Sequence, residues 1–181
     1  MRITGGKYKG KAIALPKQIR PTQDKVRKAL FDILGDMEGL SFLELFAGSG
    51  AVGFEALSRG ATDLTLVEYN RECLMAIRKN IESLKPKACD LYPKEAGLAI
   101  EAFHRDARKF DIIFMDPPYY KSMSKKILQM LGACDILARN GFVVVQHFKK
   151  EELPKESGGL SLIKESRYGD TLLSFYKKRS Q

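Results

Sequence analysis

The chain is poor in the residues that build metal and redox centres. Of 181 residues, three are cysteines (Cys73, Cys89, Cys134) and two are histidines (His104, His147). The cysteines are odd in number and show no paired short spacing. That pattern argues against a zinc site and against a disulfide framework. They read as three buried thiols in a reducing cytoplasm, and no metal is expected. Neither histidine has an obvious acid–base partner, so both read as surface or strand-end residues. Nothing else in the chain suggests hydride transfer. No apolar run approaches the roughly 20 residues that span a bilayer. Met1 to Lys11 lack the apolar stretch and small-residue cleavage site of a signal peptide. The expectation is a cytoplasmic protein with no membrane partner.

Negative charge is scarce at one end. Residues 1–28 hold nine cations (Arg2, Lys7, Lys9, Lys11, Lys17, Arg20, Lys25, Arg27, Lys28) against one anion, Asp24. That end therefore carries +8 of the net +9. A basic arm on a near-neutral domain is the footprint of a nucleic-acid backbone. Arg2, Lys7, Lys9 and Lys11, with Tyr8 between two lysines, are the candidate RNA contacts. A solvated arm without a partner is the alternative reading of the same charge.

What the rest of the chain does have is strand–helix alternation. Hydrophobic residues make up 44% and charged residues 29%, the balance of a globular domain with a sizeable core. Arg2 to Leu15 reads as a short hairpin or extended arm around Gly5-Gly6 and Gly10. Thr22 is a plausible N-cap for a helix with an apolar face at Val26, Ala29, Leu30, Ile33 and Leu34. Strands are predicted at Phe42–Phe46, Leu64–Val67, Ala88–Tyr92, Phe110–Met115 and Phe142–Val145. The last follows a turn at Asn140-Gly141. Helices are predicted between them, one of them over Glu95–Phe103. Leu160–Tyr168 and Thr171–Tyr176 flank Gly169-Asp170 as a closing hairpin. Such alternation predicts an α/β fold, a mostly parallel sheet with helices on both faces. With no linker or repeat, 1–181 reads as a single domain, with 1–19 as a basic arm and 20–181 as the core.

Gly48, Gly50 and Gly53 fit G-x-G-x-x-G between a strand and a helix, and Glu68 lies 20 residues past Gly48. Glycines allow close approach of backbone to ligand, and the acid can accept both hydroxyls of a ribose. The pattern predicts an adenosine-containing cofactor, either a dinucleotide or S-adenosyl-L-methionine. Glu44, inside the strand before the loop, favours the second. A carboxylate there would oppose a pyrophosphate but suits a ligand with an amino group.

Asp116-Pro117-Pro118-Tyr119 ends the fourth strand. Proline cannot donate to a sheet ladder, so the double proline stops it. The stop projects a carboxylate and an aromatic ring from the strand end where α/β sheets bind ligands. Beside a sulfonium methyl, this turn suits an exocyclic amine. The Asp116 carboxylate and the Pro117 carbonyl can take the two amine hydrogens and turn the lone pair toward the methyl. Tyr119 can stack on the base, which must leave its helix or come from a loop. Such stacking is worth about 1–3 kcal/mol.

These residues resemble a known family. Glu44-Leu-Phe-Ala-Gly-Ser-Gly50, Glu68 and Asp116-Pro-Pro-Tyr119 look like the motifs of class I S-adenosylmethionine-dependent amino-methyltransferases. With Arg2-Ile-Thr-Gly-Gly-Lys-Tyr-Lys9 and Arg20-Pro-Thr-Gln-Asp-Lys-Val-Arg27, the whole chain resembles the RsmD type, which methylates guanine N2 in 16S ribosomal RNA. The resemblance implies a Rossmann-like fold with seven strands in the order 3-2-1-4-5-7-6. It implies that Phe46, Ala47, Gly48, Ser49 and Gly50 wrap the methionine part of the cofactor. Glu44 joins that site, Glu68 holds the ribose, and Glu95 and Ala96 flank the adenine. Arg20-Pro21-Thr22 would close over the cofactor, while Asp116, Pro117 and Tyr119 hold the base. The expected partner is ribosomal RNA or the small ribosomal subunit, met by a monomer. Glu44 departs from the family's commoner Asp, and Glu95 from its usual Asp or Asn. The rival readings are an adenine-N6 or cytosine-N4 methyltransferase, an NAD-dependent oxidoreductase, and a non-catalytic RNA-binding protein.

Overall fold

The computed structural model describes residues 1–17, 24–118 and 123–179. It divides into two compact units, Met1–Lys94 and Glu95–Gln181. The expected Thr22 cap, the Arg20 contact and the Tyr119 ring lie outside the described residues.

The first unit begins with a folded hairpin. One antiparallel bridge joins Arg2 to Ala12, and Ile3, Tyr8 and Ile13 are buried. The main chain of this hairpin meets a helix through one carboxylate. Thr4 N–H (2.9 Å), Gly5 N–H (2.9 Å) and the Thr4 hydroxyl (2.7 Å) all donate to Glu55. After the hairpin come α1 (Asp24–Leu34), β1 (Ser41–Leu45), α2 (Ala51–Ser58), β2 (Asp63–Glu68), α3 (Arg71–Leu84) and β3 (Cys89–Pro93). Asn70 caps α3 by accepting from Glu72 N–H and Cys73 N–H. The three strands are parallel in the order β3-β2-β1, with Leu45 opposite Val67 and Glu68 opposite Pro93. Phe42, Leu43, Leu45, Leu64 and Leu66 are fully buried. A continuous apolar strand of this kind belongs to a parallel sheet covered on both faces.

The second unit holds α4 (Ala96–Arg105), β4 (Phe110–Met115), α5 (Met123–Ala133), β5 (Leu137–Phe148), β6 (Glu156–Ser157), β7 (Leu160–Tyr168) and β8 (Thr171–Lys178). Strand order is β4-β5-β8-β7-β6. β4 and β5 are parallel, whereas β8, β7 and β6 add antiparallel. The expected strands 6 and 7 of the closing hairpin are β7 and β8 here; in the expected numbers both runs, 3-2-1 and 4-5-7-6, are found, and the two-residue β6 is an added edge strand. The closing hairpin turns at Gly169-Asp170 as expected.

Asn140-Gly141 departs from the sequence reading. It is an irregularity inside β5 rather than a turn before it. The pairing shifts there, from Phe110 opposite Leu137 to Ile112 opposite Phe142. A side chain at Gly141 would meet the Asp111 carbonyl at 2.5 Å. Glycine thus marks a close backbone approach, the role it commonly has inside a strand.

Candidate active site

In the first unit the chain leaves β1 at Phe46 with φ of 58°, a left-handed conformation costly for a bulky side chain. Gly48 (φ 57°) and Gly50 (φ 74°) repeat that hand at every second residue. The loop is tied by Ala47 N–H to the Val67 carbonyl (3.1 Å) and by Gly50 N–H to the Ala47 carbonyl (2.7 Å). Strain of this type persists only where the surroundings over-determine it, often at a ligand site.

Two acids flank the loop, each hydrogen-bonded to main chain. Glu68 is buried and accepts Gly48 N–H on one oxygen (2.8 Å). Its other oxygen accepts Tyr69 N–H and Asn70 N–H, both at 2.8 Å. Glu44 is buried and accepts Gly53 N–H at 2.8 Å. Gly50 has no side chain to cap α2, so the Glu44 carboxylate satisfies one of the helix's exposed donors. A side chain at Gly53 would strike this same oxygen at 2.8 Å.

Asn80 lies behind the loop, a role that no local sequence pattern marks. Its amide nitrogen donates to the Ser49 carbonyl (2.9 Å) and the Ala14 carbonyl (3.1 Å). Its oxygen accepts Ala14 N–H (2.7 Å). Tyr69, the residue after Glu68, is 61% exposed, an aromatic surface beside the acid.

The donor set fits the methionine-and-ribose cofactor inferred from the motifs. No described residue lies within 4 Å of the position a Gly48 side chain would take, so among the described residues that side of the loop is open. Glu68 is fastened to that same residue. Glu44 and the loop carbonyls are the acceptors an ammonium group needs.

In the second unit Asp116 follows β4, half-buried, with Pro117 buried and Pro118 exposed behind it. Gln146 Nε2 donates to Asp116 Oδ2 at 2.7 Å. The sequence reading does not include Gln146; its one local signal is a polar residue directly after the apolar run Phe142–Val145. Glu95 stands at the N-cap of α4 without a capping side-chain bond, exposed, and Ala96 is buried behind it.

Several expectations change on the basic arm and among the rare residues. Arg2, Lys7, Lys9 and Lys11 are exposed, as is Lys17. Tyr8 is only 7% exposed; its N–H donates to Ser58 Oγ, and Lys7 and Lys11 lie over its ring. The ring therefore anchors the hairpin and is not presented for stacking on RNA. Arg27 is 1% exposed and pairs with Glu55 (3.3 Å) and Asp24 (3.1 Å), so one of the nine cations is used internally.

His147 is no surface residue. It is fully buried, with Nε2 2.7 Å from Ser174 Oγ. Only Cys73 of the three thiols is fully buried. Burial pushes the Cys73 and Cys89 thiols up to about 12, with help from Glu68 at Cys73 and Asp90 at Cys89. Neither is a nucleophile at neutral pH. Among the described residues no group of acids, histidines and cysteines could hold a metal, and no helix is long and apolar enough to cross a membrane.

A glycine loop between a parallel strand and a helix, an acid ending the next strand, and an Asp-Pro-Pro stop on a further strand define the Rossmann-like class I methyltransferase fold. Its mostly parallel sheet is shared with a solved structure described as putative methyltransferase yhhF from Escherichia coli. That structure has a TM-score of 0.85 and 30% identity, covering 100% of this chain and 99% of the other. Residues 1–177 match the family model described as conserved hypothetical protein 95. The chain belongs to that family, the RsmD family of methyltransferases. It is 34% identical to the putative rRNA methyltransferase YlbH of Bacillus subtilis, over 99% of this chain and 100% of that protein. It is 30% identical to ribosomal RNA small subunit methyltransferase D of Escherichia coli K12, over 100% of this chain and 91% of that protein.

Proposed function

We propose that this protein transfers a methyl group from S-adenosylmethionine to the exocyclic N2 amine of a guanine in small-subunit ribosomal RNA. The observation that carries the reading is the Asp116 carboxylate, held by Gln146 on a double-proline strand stop. Relatives named as ribosomal RNA methyltransferases, aligned over the full chain, support the RNA substrate.

When bound, S-adenosylmethionine supplies an electrophilic sulfonium methyl. Glu44 and the carbonyls of Phe46 to Gly50 hold its amino-acid part, and Glu68 takes the ribose hydroxyls. Tyr69 offers a face to the adenine, and Glu95 and Ala96 border it. Arg20 and Thr22 close the site. A guanine amine is a weak nucleophile because its lone pair is delocalised into the ring. Asp116 and the Pro117 carbonyl accept its two hydrogens and turn the lone pair out of the ring plane, and Tyr119 stacks on the base. Asp116 acts by holding the amine rather than as a strong base; as the N–C bond forms the S–C bond would break, S-adenosylhomocysteine would leave with the electron pair, and the released proton would pass to solvent. Arg2, Lys7, Lys9 and Lys11 track the RNA backbone, and the chain works as one domain and as a monomer.

Nucleoside mass spectrometry tests the reading. Small-subunit RNA from cells lacking the gene is incubated with the protein and cofactor. N2-methylguanosine is expected to appear with wild type, and to form at least about a hundredfold more slowly with Asp116→Ala. N6-methyladenosine or N4-methylcytidine in its place would reassign the base. Calorimetry showing NAD bound in preference to S-adenosylmethionine would overturn the cofactor.

A further inference from the structure

We propose that Gln146 is a positioning residue for methyl transfer, aiming the Asp116 carboxylate at the target amine. The inference rests on the reading above, that Asp116 holds this amine.

The placement follows from strand register. Met115 and Val145 are paired on the parallel strands β4 and β5. Asp116, just past the end of β4, and Gln146, within β5, therefore stand at the same level. Parallel strands bring equivalent residues side by side, so the two side chains meet without a loop between them. Gln146 sits inside the sheet, since β8 flanks it on the other side with Leu173 opposite. A residue anchored on a central strand is held more firmly than one on a loop, and Asp116 itself stands where the chain turns away from the sheet.

The hydrogen bond has one orientation. Asp116 Oδ2 can only accept when ionised, so the Gln146 nitrogen faces it and the Gln146 oxygen points elsewhere. That oxygen, Gln146 Oε1, is buried and has no partner among the described residues. The side chain is 5% exposed. A buried acceptor without a donor opposes folding. An apolar residue would suit this place better, in a strand that otherwise runs Val143-Val144-Val145. Glutamine stands at a site where stability alone would favour leucine. The one thing its amide does among the described residues is grip the carboxylate.

The consequence is geometric. An amine lone pair must point at the methyl carbon within a narrow cone, and Asp116 sets that direction only if its own torsion is fixed. Fixing Oδ2 through Gln146 fixes the plane of the carboxylate. With the grip removed the carboxylate loses one of its restraints, the amine still binds, and fewer bound complexes are aligned for attack. Loss of alignment lowers the rate of the bound complex rather than its formation.

Gln146→Leu is the test, measured beside wild type, Asp116→Asn and the double variant. The expected result for Gln146→Leu is kcat lower by roughly 10- to 100-fold, with KM for RNA and for cofactor within about twofold of wild type. Its thermal midpoint is expected to equal or exceed that of wild type, since an unpaired buried acceptor has been removed. In the Asp116→Asn background the same change is expected to have no further effect, because Gln146 acts through the carboxylate.

A wild-type kcat in Gln146→Leu overturns the proposal. So does a loss confined to KM, a fall in kcat that tracks a fall in folded fraction, or full additivity with Asp116→Asn. The underlying reading fails differently. In that case Asp116→Asn and Asp116→Ala themselves retain wild-type activity, or wild type yields no methylated guanine.

Discussion

Glu68 accepts three main-chain N–H groups and so shapes its site before any ligand arrives. One of those donors is Gly48, the residue whose outer side is open. Replacing Glu68 by Gln keeps the size but turns one acceptor into a donor facing an N–H. Calorimetry should then show S-adenosylmethionine bound roughly 10- to 100-fold more weakly, the range of one or two charge-assisted hydrogen bonds. Spacing from Gly48 drew attention to Glu68 in the sequence, because the acid proposed to hold the ribose stands at a regular distance past such a loop. Glu44 was legible only by its oddity, a carboxylate in a buried strand. Its bond to Gly53 N–H could not be read, since a helix-capping contact depends on how α2 sits over β1.

At the scale of elements, the N-terminal hairpin is built into the first unit by Glu55. Burial raises that carboxyl's affinity for protons. The N–H and hydroxyl of Thr4, the Arg59 guanidinium and the charge of Arg27 outweigh burial and hold it below the ordinary carboxylate value. Glu55→Ala would leave the buried Arg27 without its buried carboxylate and with only the exposed Asp24 as charged partner. A loss of about 3–5 kcal/mol is expected from denaturant midpoints, the range for breaking one side of a buried pair. For the same reason, deleting residues 1–11 is a poor test of RNA binding, because it strips Glu55 of its donors. Changing Lys7, Lys9 and Lys11 to Gln leaves the hairpin core in place. The log–log slope of RNA affinity against salt should then fall by about 2–3 in magnitude if each lysine meets a phosphate. An unchanged slope would remove the hairpin from the RNA interface. The basic composition was plain in the sequence. That the arm is a docked hairpin, with Tyr8 inside it and Arg27 beneath it, was not, because the partner carboxylate lies some fifty residues away on α2.

For the whole molecule, pH provides a test of stability. Burial lowers the pKa of His147 below its ordinary 6.5, and the charges of Glu151 and Glu165 only partly oppose this. A depressed histidine leaves the unfolded chain binding more protons, so its stabilising effect is complete above pH 6.5 and fades as pH falls below it. Urea midpoints should drop as pH is lowered through that region, by at most about 1.4 kcal/mol per pH unit from this group. His147→Gln should flatten the curve; an identical slope in both proteins would show that other groups govern acid sensitivity. By itself the sequence determined the alternation of strands and helices, the glycine loop with Glu68, the proline stop at Asp116 and the excess of positive charge. Each of these is written in residues close together in the chain, through periodicity, turn chemistry or composition. Only the tertiary structure decided that Gln146 grips Asp116, that Asn80 ties Ser49 to Ala14, that Glu55 gathers the hairpin, and that His147 is buried. Those contacts join residues from 27 to 66 positions apart, and no local pattern encodes them.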